Sequence, residues 1–401
     1  MLDLTARTEP GARLIALAER LADDCATRAA VHDREATYPH ASVDALREAG
    51  YFAAAVPAEH GGMGVFSVHD LIVAASRLAR GDASVAIGAN MHTAVLRNVV
   101  RRWEMAIAAG NDRRAAAFGA TLEHVARDGA VIATAISEHG LQDLTRPATT
   151  AVRTPDGWRI DGRKAFCTMA PAATVLFTAV TFVDDHGRER YGYARVPAGT
   201  PGVVMHDDWD ALGMRASGSH SVSFEGVELP ASALRGGFPI GSATDYMESN
   251  LSAGLFHASA SLGIAEAAQQ VALARPAADA RGRMLVAENA IELSAGRAAL
   301  ARAATLIDDH YAANPTAVGS GEELTAIFAE AQATKAFVNE AAVRVVDRAL
   351  ALSGGAGYRN GHPLARAYRD VRAGAFMHPL GANRAYDFVA DVALGGEPAL
   401  H

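Results

Sequence analysis

A mainly α chain with a β domain in its middle is the fold class this sequence predicts, and three observations predict it. About 130 residues at the start read almost entirely as helix, and about 170 at the end do the same. The stretch from Val131 to Pro230 changes pattern: TTAVRT, GWRIDGRKAFCT, TVLFTAVTFV, RYGYARV, GVVMHD and HSVSFEGVEL are short runs rich in Val, Thr, Phe and Tyr, the residues that fit a pleated surface. PDG, DDHG, AGTPG and ASGS separate them, with Gly for positive φ, Pro for fixed φ, and Asp and Ser for local side-chain bonds. The expected organisation is helices over 1–130, an antiparallel β domain over 131–235, and helices again over 236–401.

Taken in order, Gly11 to Asp33 carries apolar positions at helical spacing among Ala, Leu and Arg, all good helix formers. Pro39 breaks that run. SVDALREAG then opens with Ser42 as a cap and stops at Gly50. YFAAAVPAEHGGMG is turn-rich, and helices follow over Ser67–Arg80 and Ser84–Arg102. Beyond the β block, Asn250–Ala272, Arg281–Ala313 and Glu322–Leu352 read as long helices. The last carries an apolar stripe of Phe337, Val338, Ala341, Ala342, Val345, Ala349 and Leu352, suited to a bundle core or an oligomer contact.

Bulk properties exclude several classes of function. The chain has 401 residues, half of them hydrophobic, and a net charge of −8 with no dense Lys/Arg run. Nucleic acid and anionic membrane are therefore not the expected partners. No basic-then-apolar leader and no stretch of about 20 apolar residues appears, so the expectation is a soluble, cytoplasmic protein. Cys25 and Cys167 are the two cysteines. They give no disulfide framework and no CxxC metal pair, and no metal site is expected. Cys167 reads as a small core residue rather than a nucleophile, because no His motif accompanies it.

Two readings of His92 stand side by side. Among Ala89, Met91, Ala94, Val95 and Leu96 it is either a half-buried histidine bonded to a backbone carbonyl or a pocket-facing acid/base near neutral pKa.

Four signatures then occur in order: AISEHG (135–140), DGWRIDGRKAFCTMAPAA (156–173), DWDALGMRASGSHSVSFEGVELP (208–230) and LALSGGAGYRNGHPLARAYRDVRAG (350–374). Together with GLFHASASLGIAEAAQQ (254–270), they resemble the acyl-CoA dehydrogenase superfamily over nearly the whole chain. The resemblance implies an N-terminal helical domain, a middle β-barrel-like domain, a C-terminal four-helix bundle and a flavin held between them. By resemblance, Ile136 and Ser137 contact the isoalloxazine, and Phe166 and Thr168 pack an aromatic face and a hydroxyl against it. The Arg215/Ser217 loop runs beside flavin and substrate. Gly354 and Gly355 let backbone N–H groups approach a flavin's dinucleotide tail in a neighbouring subunit. Without the resemblance, Phe166 and Thr168 read as an ordinary strand, and SGGAG as a helix stop.

The departures from the family bear on chemistry. His139, Gly140, Leu141, Gln142 and Asp143 replace the usual Pro-containing turn. ARPAADARGRMLVAEN replaces the usual phosphate-gripping stretch, offering Arg275, Arg281 and Arg283 without a clear match. The glutamate that removes a thioester α-proton is missing from both of its known positions, which here hold Met377-His378-Pro379 and Ala253, with Gly254 following. These losses resemble the superfamily's two-component flavin monooxygenases, which take reduced flavin from a separate reductase. By that resemblance His378 and His92 meet over one flavin face as acid/base groups, although His378 also reads as a capped loop histidine. FAD is the expected cofactor, with FMN possible, and a small molecule is the expected substrate. A homodimer or homotetramer is expected. An acyl-CoA or acyl-carrier-protein dehydrogenase with an atypical base is the second reading, and a non-catalytic flavin-binding scaffold the third.

Overall fold

The structure, a computed structural model, describes residues 2–234, 237–274 and 279–400. It opens with α1 (Glu9–Glu35), α2 (His40–Glu48), α3 (Val68–Gly81), α4 (Ala83–Ala108) and α5 (Asp112–Asp128). Asp82 caps α4 by accepting the Ser84 N–H at 2.8 Å, and Ser67 caps α3, each satisfying an otherwise orphaned donor. The sequence reading missed α5, although Asn111 accepts the Arg114 N–H as an N-cap. Ser42 is not the cap of α2, which begins at His40. Its hydroxyl instead accepts a hydrogen bond from Arg28 Nε.

Eight strands follow: β1 (Ile132–Ala135), β2 (Thr150–Thr154), β3 (Gly157–Cys167), β4 (Val175–Val183), β5 (Glu189–Pro197), β6 (Val203–Met205), β7 (His220–Pro230) and β8 (Phe238–Pro239). Their order is β6-β7-β3-β2-β4-β5-β8, with β1 beside β4. The antiparallel pattern read from the sequence describes β2·β3, β3·β7, β4·β5, β5·β8 and β6·β7. The pairs β1·β4 and β2·β4 are parallel, so the sheet is mixed. Its own core holds Trp158, Ile160, Leu176, Val180, Phe182 and Phe224.

The chain closes with α6 (Ala243–Asn250), α7 (Ala253–Leu273), α8 (Ala280–Ala313), α9 (Gly321–Ser353), α10 (Pro363–Asp370) and α11 (Ala382–Ala393). Helix α7 is buried almost all round, as a central bundle helix must be. Its close approach to α3 depends on Gly263, where a Cβ would lie 2.2 Å from the Ser76 carbonyl. Of the stripe on α9, Val338, Ala341, Ala342, Val345 and Ala349 are buried, whereas Phe337 is exposed. One hydrophobic core runs through both sets of helices. Among the described residues no helix is long and apolar enough to cross a membrane.

Candidate active site

A large cavity of about 960 Å³ opens where α4, α5, the sheet, α6, α7 and residues 369–378 converge. That is the size of a site for a large organic ligand.

Phe166 is delivered to the cavity by a local defect in the sheet. The register of β3 against β7 shifts between Lys164 and Cys167, and Phe166 takes a left-handed backbone with φ 55°. A bulge of this kind re-aims a side chain, and holding a non-glycine residue there costs on the order of 1–3 kcal/mol. The ring that results is 58% exposed. Trp209 meets it edge-on at 6.0 Å and 80°. Nearby, Thr168 Oγ1 lies 2.9 Å from Ser219 Oγ, which lies 2.6 Å from Ser217 Oγ. This chain of hydroxyls borders the cavity beside the aromatic face.

Ile136 and Ser137 are positioned from behind. Ser137 accepts the Ala165 N–H through its carbonyl at 2.9 Å. Buried Lys164 donates to Glu138 Oε1 at 2.6 Å and to the Ala179 carbonyl at 2.7 Å. Glu138 also accepts from Ala148 N, Thr149 N and Thr149 Oγ1. Burial acts to raise the Glu138 pKa, but the Lys164 charge and these bonds hold it below the usual carboxylate range. Glu138 therefore staples the β1–β2 connection to the sheet. Cys167 is buried and its thiol is pushed up to about 12 by that burial, consistent with a core residue.

His378 lines the cavity. Its Nε2 lies 2.8 Å from Asn250 Oδ1, so Nε2 carries the proton donated to the amide oxygen and Nδ1 is left as a base. Burial, with the Lys335 ammonium nearby, lowers its pKa to about 3. The sequence reading missed His257, which lies one helical turn beyond Ala253 on the same face of α7. It is 2% exposed, borders the cavity, and neither ring nitrogen has a partner among the described residues. Burial first, then Lys335 and His378, depress its pKa.

His92 does not join them. The Ile132 N–H donates to its Nδ1 at 3.0 Å, and its Nε2–H donates to the Phe52 carbonyl at 2.9 Å. Both nitrogens are spent on main chain, and the residue is outside the cavity lining. The imidazole is a buried rivet between α4 and β1, so the expectation of an acid/base at this position is corrected.

Arg215 also falls outside the lining. Its Nε donates to the Asp33 carbonyl at 2.9 Å, turning the guanidinium toward the end of α1, while Ser217 of the same loop does reach the cavity. Gly354 and Gly355 are exposed at the end of α9, away from this chain's cavity. Arg281 and Arg283 are exposed on α8, and Arg275 lies outside the described residues. The loop through Trp209 and Met214 is anchored by Asp370, which accepts the Met214 N–H at 2.6 Å. Burial lifts that carboxyl to about 7.

A flat flavin ring fits what the walls offer. The exposed Phe166 ring and Ile136 supply apolar faces, Thr168, Ser217 and Ser219 supply hydroxyls for a polar ring edge, and His257 is a buried polar group without a partner. The helical and sheet elements together thus form a cavity of the kind that holds a flavin.

Comparison with known proteins agrees along the chain. Residues 13–103 match the acyl-CoA dehydrogenase N-terminal domain, 133–227 the middle domain, and 247–383 the C-terminal domain. The chain is 35% identical to the amino sugar nitrososynthase DnmZ of Streptomyces peucetius, covering 97% of this chain and 95% of that one. It is 36% identical to the amino sugar nitrososynthase RubN8 of Streptomyces rubradiris, covering 98% and 92%. It superposes with a TM-score of 0.88 on KijD3 in complex with FMN and dTDP-3-amino-2,3,6-trideoxy-4-keto-3-methyl-D-glucose, at 32% identity over 98% of this chain and 96% of that one. The chain belongs to the acyl-CoA dehydrogenase family and is a flavin-dependent oxidoreductase.

Proposed function

We propose that this protein is a flavin-dependent monooxygenase that oxidises the amine nitrogen of a nucleotide-linked amino sugar, with reduced flavin supplied by a separate reductase. The observation that carries the reading is the chemistry of the cavity wall. The wall formed by α6, α7 and residues 377–378 offers Asn250, His257 and His378. Among the described lining residues Asp210 is the sole carboxylate, and its side chain is 98% exposed. Thioester desaturation needs a desolvated carboxylate at the reacting carbon. Amine oxidation needs the uncharged amine, which a wall of neutral hydrogen-bonding groups without a buried carboxylate favours over the ammonium. The likeness to amino sugar nitrososynthases over nearly the full chain supports the same reading.

Each residue then has a task. Ile136, Phe166 and Trp209 exclude water from one side of the cavity, and Thr168, Ser217 and Ser219 would bond the polar edge of a flavin ring held there. Bound in its reduced form, the flavin supplies the two electrons that activate O₂. His378 Nδ1, held neutral, accepts a hydrogen bond from the N–H of the uncharged substrate amine and holds its nitrogen in place. Phe177 and Tyr193 stack at 4.9 Å and 12°, and with Arg102, Arg114 and Arg195 they line the part of the cavity built by α4, α5, β4 and β5. Aromatic faces suit a base, and guanidinium groups suit a diphosphate.

The test supplies FMN, a flavin reductase, O₂ and dTDP-3-amino-2,3,6-trideoxy-4-keto-3-methyl-D-glucose, and looks for added oxygen on nitrogen by mass spectrometry. Oxygenated product that is absent without reduced flavin supports the reading. No product, together with anaerobic bleaching of bound flavin by acyl thioesters, would replace it with the dehydrogenase reading.

A further inference from the structure

We propose that Lys335 is a positioning residue for the cavity histidine, its side chain tying together the backbone carbonyls on either side of the His378–Pro379 step. From α9, Lys335 Nζ donates to the Met377 carbonyl and, at 2.7 Å, to the Leu380 carbonyl. Tyr246 holds the intervening carbonyl, its hydroxyl donating to Pro379 O at 3.1 Å. Three carbonyls in a four-residue segment are thereby fixed from two helices, and Asn250 fixes the ring itself through Nε2. The imidazole is left one orientation and one tautomer, with Nδ1 as its free lone pair. Gly254 on α7 makes room for the lysine stem: a Cβ there would lie 3.3 Å from Lys335 Cδ and 3.5 Å from Pro379 Cδ.

The ammonium has a second consequence. Lys335 is 3% exposed and makes no ion pair among the described residues. The charged groups of the surrounding helices are engaged elsewhere. Glu248 of α6 pairs with Arg101 and His310. Glu330 pairs with Arg302 and Glu340 with Arg344, both on α9's outer surface. Arg384 of α11 donates to the Leu141 and Gln142 carbonyls. The groups facing Lys335 are therefore two further bases, His257 from α7 and His378, and each is made less basic by its charge. Burial brings the lysine itself down to about 7. Charge on the lysine disfavours charge on either imidazole, which keeps His378 Nδ1 a neutral hydrogen-bond acceptor.

The test titrates the ring nitrogens of His378 by ¹⁵N NMR in flavin-loaded wild type, Lys335→Met and Lys335→Gln. Lys335→Met matches the lysine in length without its charge, and Lys335→Gln keeps one donor for the carbonyls, so a folding failure in one leaves the other. The expected result is a wild-type ring that stays neutral down to pH 5, and variants whose midpoint rises by at least about one unit, a tenfold change in proton affinity. Turnover of the amino sugar at pH 7 falls at least about tenfold because the ring loses its fixed orientation, and the acid limb of its pH profile moves up with the midpoint. A wild-type His378 that titrates near pH 6.5, or variants with an unmoved midpoint, would overturn the inference. The kinetic arm rests on the proposed function, whereas the titration does not. Absence of turnover alongside a shifted midpoint would count against the substrate reading and leave the role of Lys335 standing.

Discussion

The histidine at the joint of α4 and β1 and the histidines at the cavity wall differ in how their ring nitrogens are bonded, and the contrast separates architecture from chemistry. At the joint of α4 and β1, His92 is fully buried and both its nitrogens are bonded to main chain. At the cavity wall, His378 has one nitrogen bonded and His257 has none. All three have pKa values pushed down chiefly by burial, so a lowered pKa does not distinguish them. Hydrogen-bond closure does. A buried polar group that leaves a bond unmade costs about 1–3 kcal/mol, and a fold tolerates that where a ligand supplies the missing partner.

Removing the closed histidine is expected to have the largest effect. His92→Ala orphans the Ile132 N–H and the Phe52 carbonyl and opens a cavity, and it should cost about 3 kcal/mol or more in urea unfolding. Flavin-loaded His92→Ala that keeps wild-type stability would break the comparison. At the open wall the expected loss is in rate. His378→Gln should lower turnover at least about 10²-fold, near 2.7 kcal/mol, with the unfolding midpoint nearly unchanged. Full activity in that variant would remove His378 from the mechanism.

Acid sharpens the contrast next. His92 has a folded pKa of about 4, below its unfolded value near 6.5. Between those limits the unfolded chain binds more protons, so stability rises with pH, is complete above about 6.5, and is lost toward 4. Lowering the pH from 7 to 5 should cost about 2 kcal/mol through His92 alone, and denaturant unfolding of a His92→Gln variant should show a correspondingly shallower pH dependence. The smallest expected effect is at the far part of the cavity. Arg102 packs over the Phe238 ring at 5.9 Å and borders the cavity. Arg102→Ala should weaken dTDP binding about tenfold by calorimetry, near 1.4 kcal/mol, with little change in the turnover of bound substrate.

The exposed Gly354 and Gly355 raise the remaining question of assembly. We propose that they serve a second copy of the chain, and light scattering should then give at least a dimer.

By itself the sequence determined the helix–sheet–helix order and most of the long elements, though not α5, β1, α10 or α11, because apolar periodicity and turn residues are local properties. Motifs in family order also pointed to a set of site residues, of which Ile136, Ser137, Phe166, Thr168, Ser217 and His378 line the cavity and His92, Arg215, Gly354 and Gly355 do not. The parallel pairing of β1 and β2 with β4 was not legible, since strand direction depends on how distant segments dock. Nor was the difference between His92 and His257. Both lie on apolar helices, and the spacing of neighbours says nothing about which nitrogen finds a carbonyl 40 residues away. Nothing in the sequence marks Lys335, which only the fold brings to the carbonyls of 377 and 380. Local pattern fixed the elements, whereas the pairing of buried polar groups, a long-range property that costs energy when unmet, was decided only when the helices and the sheet closed on one another.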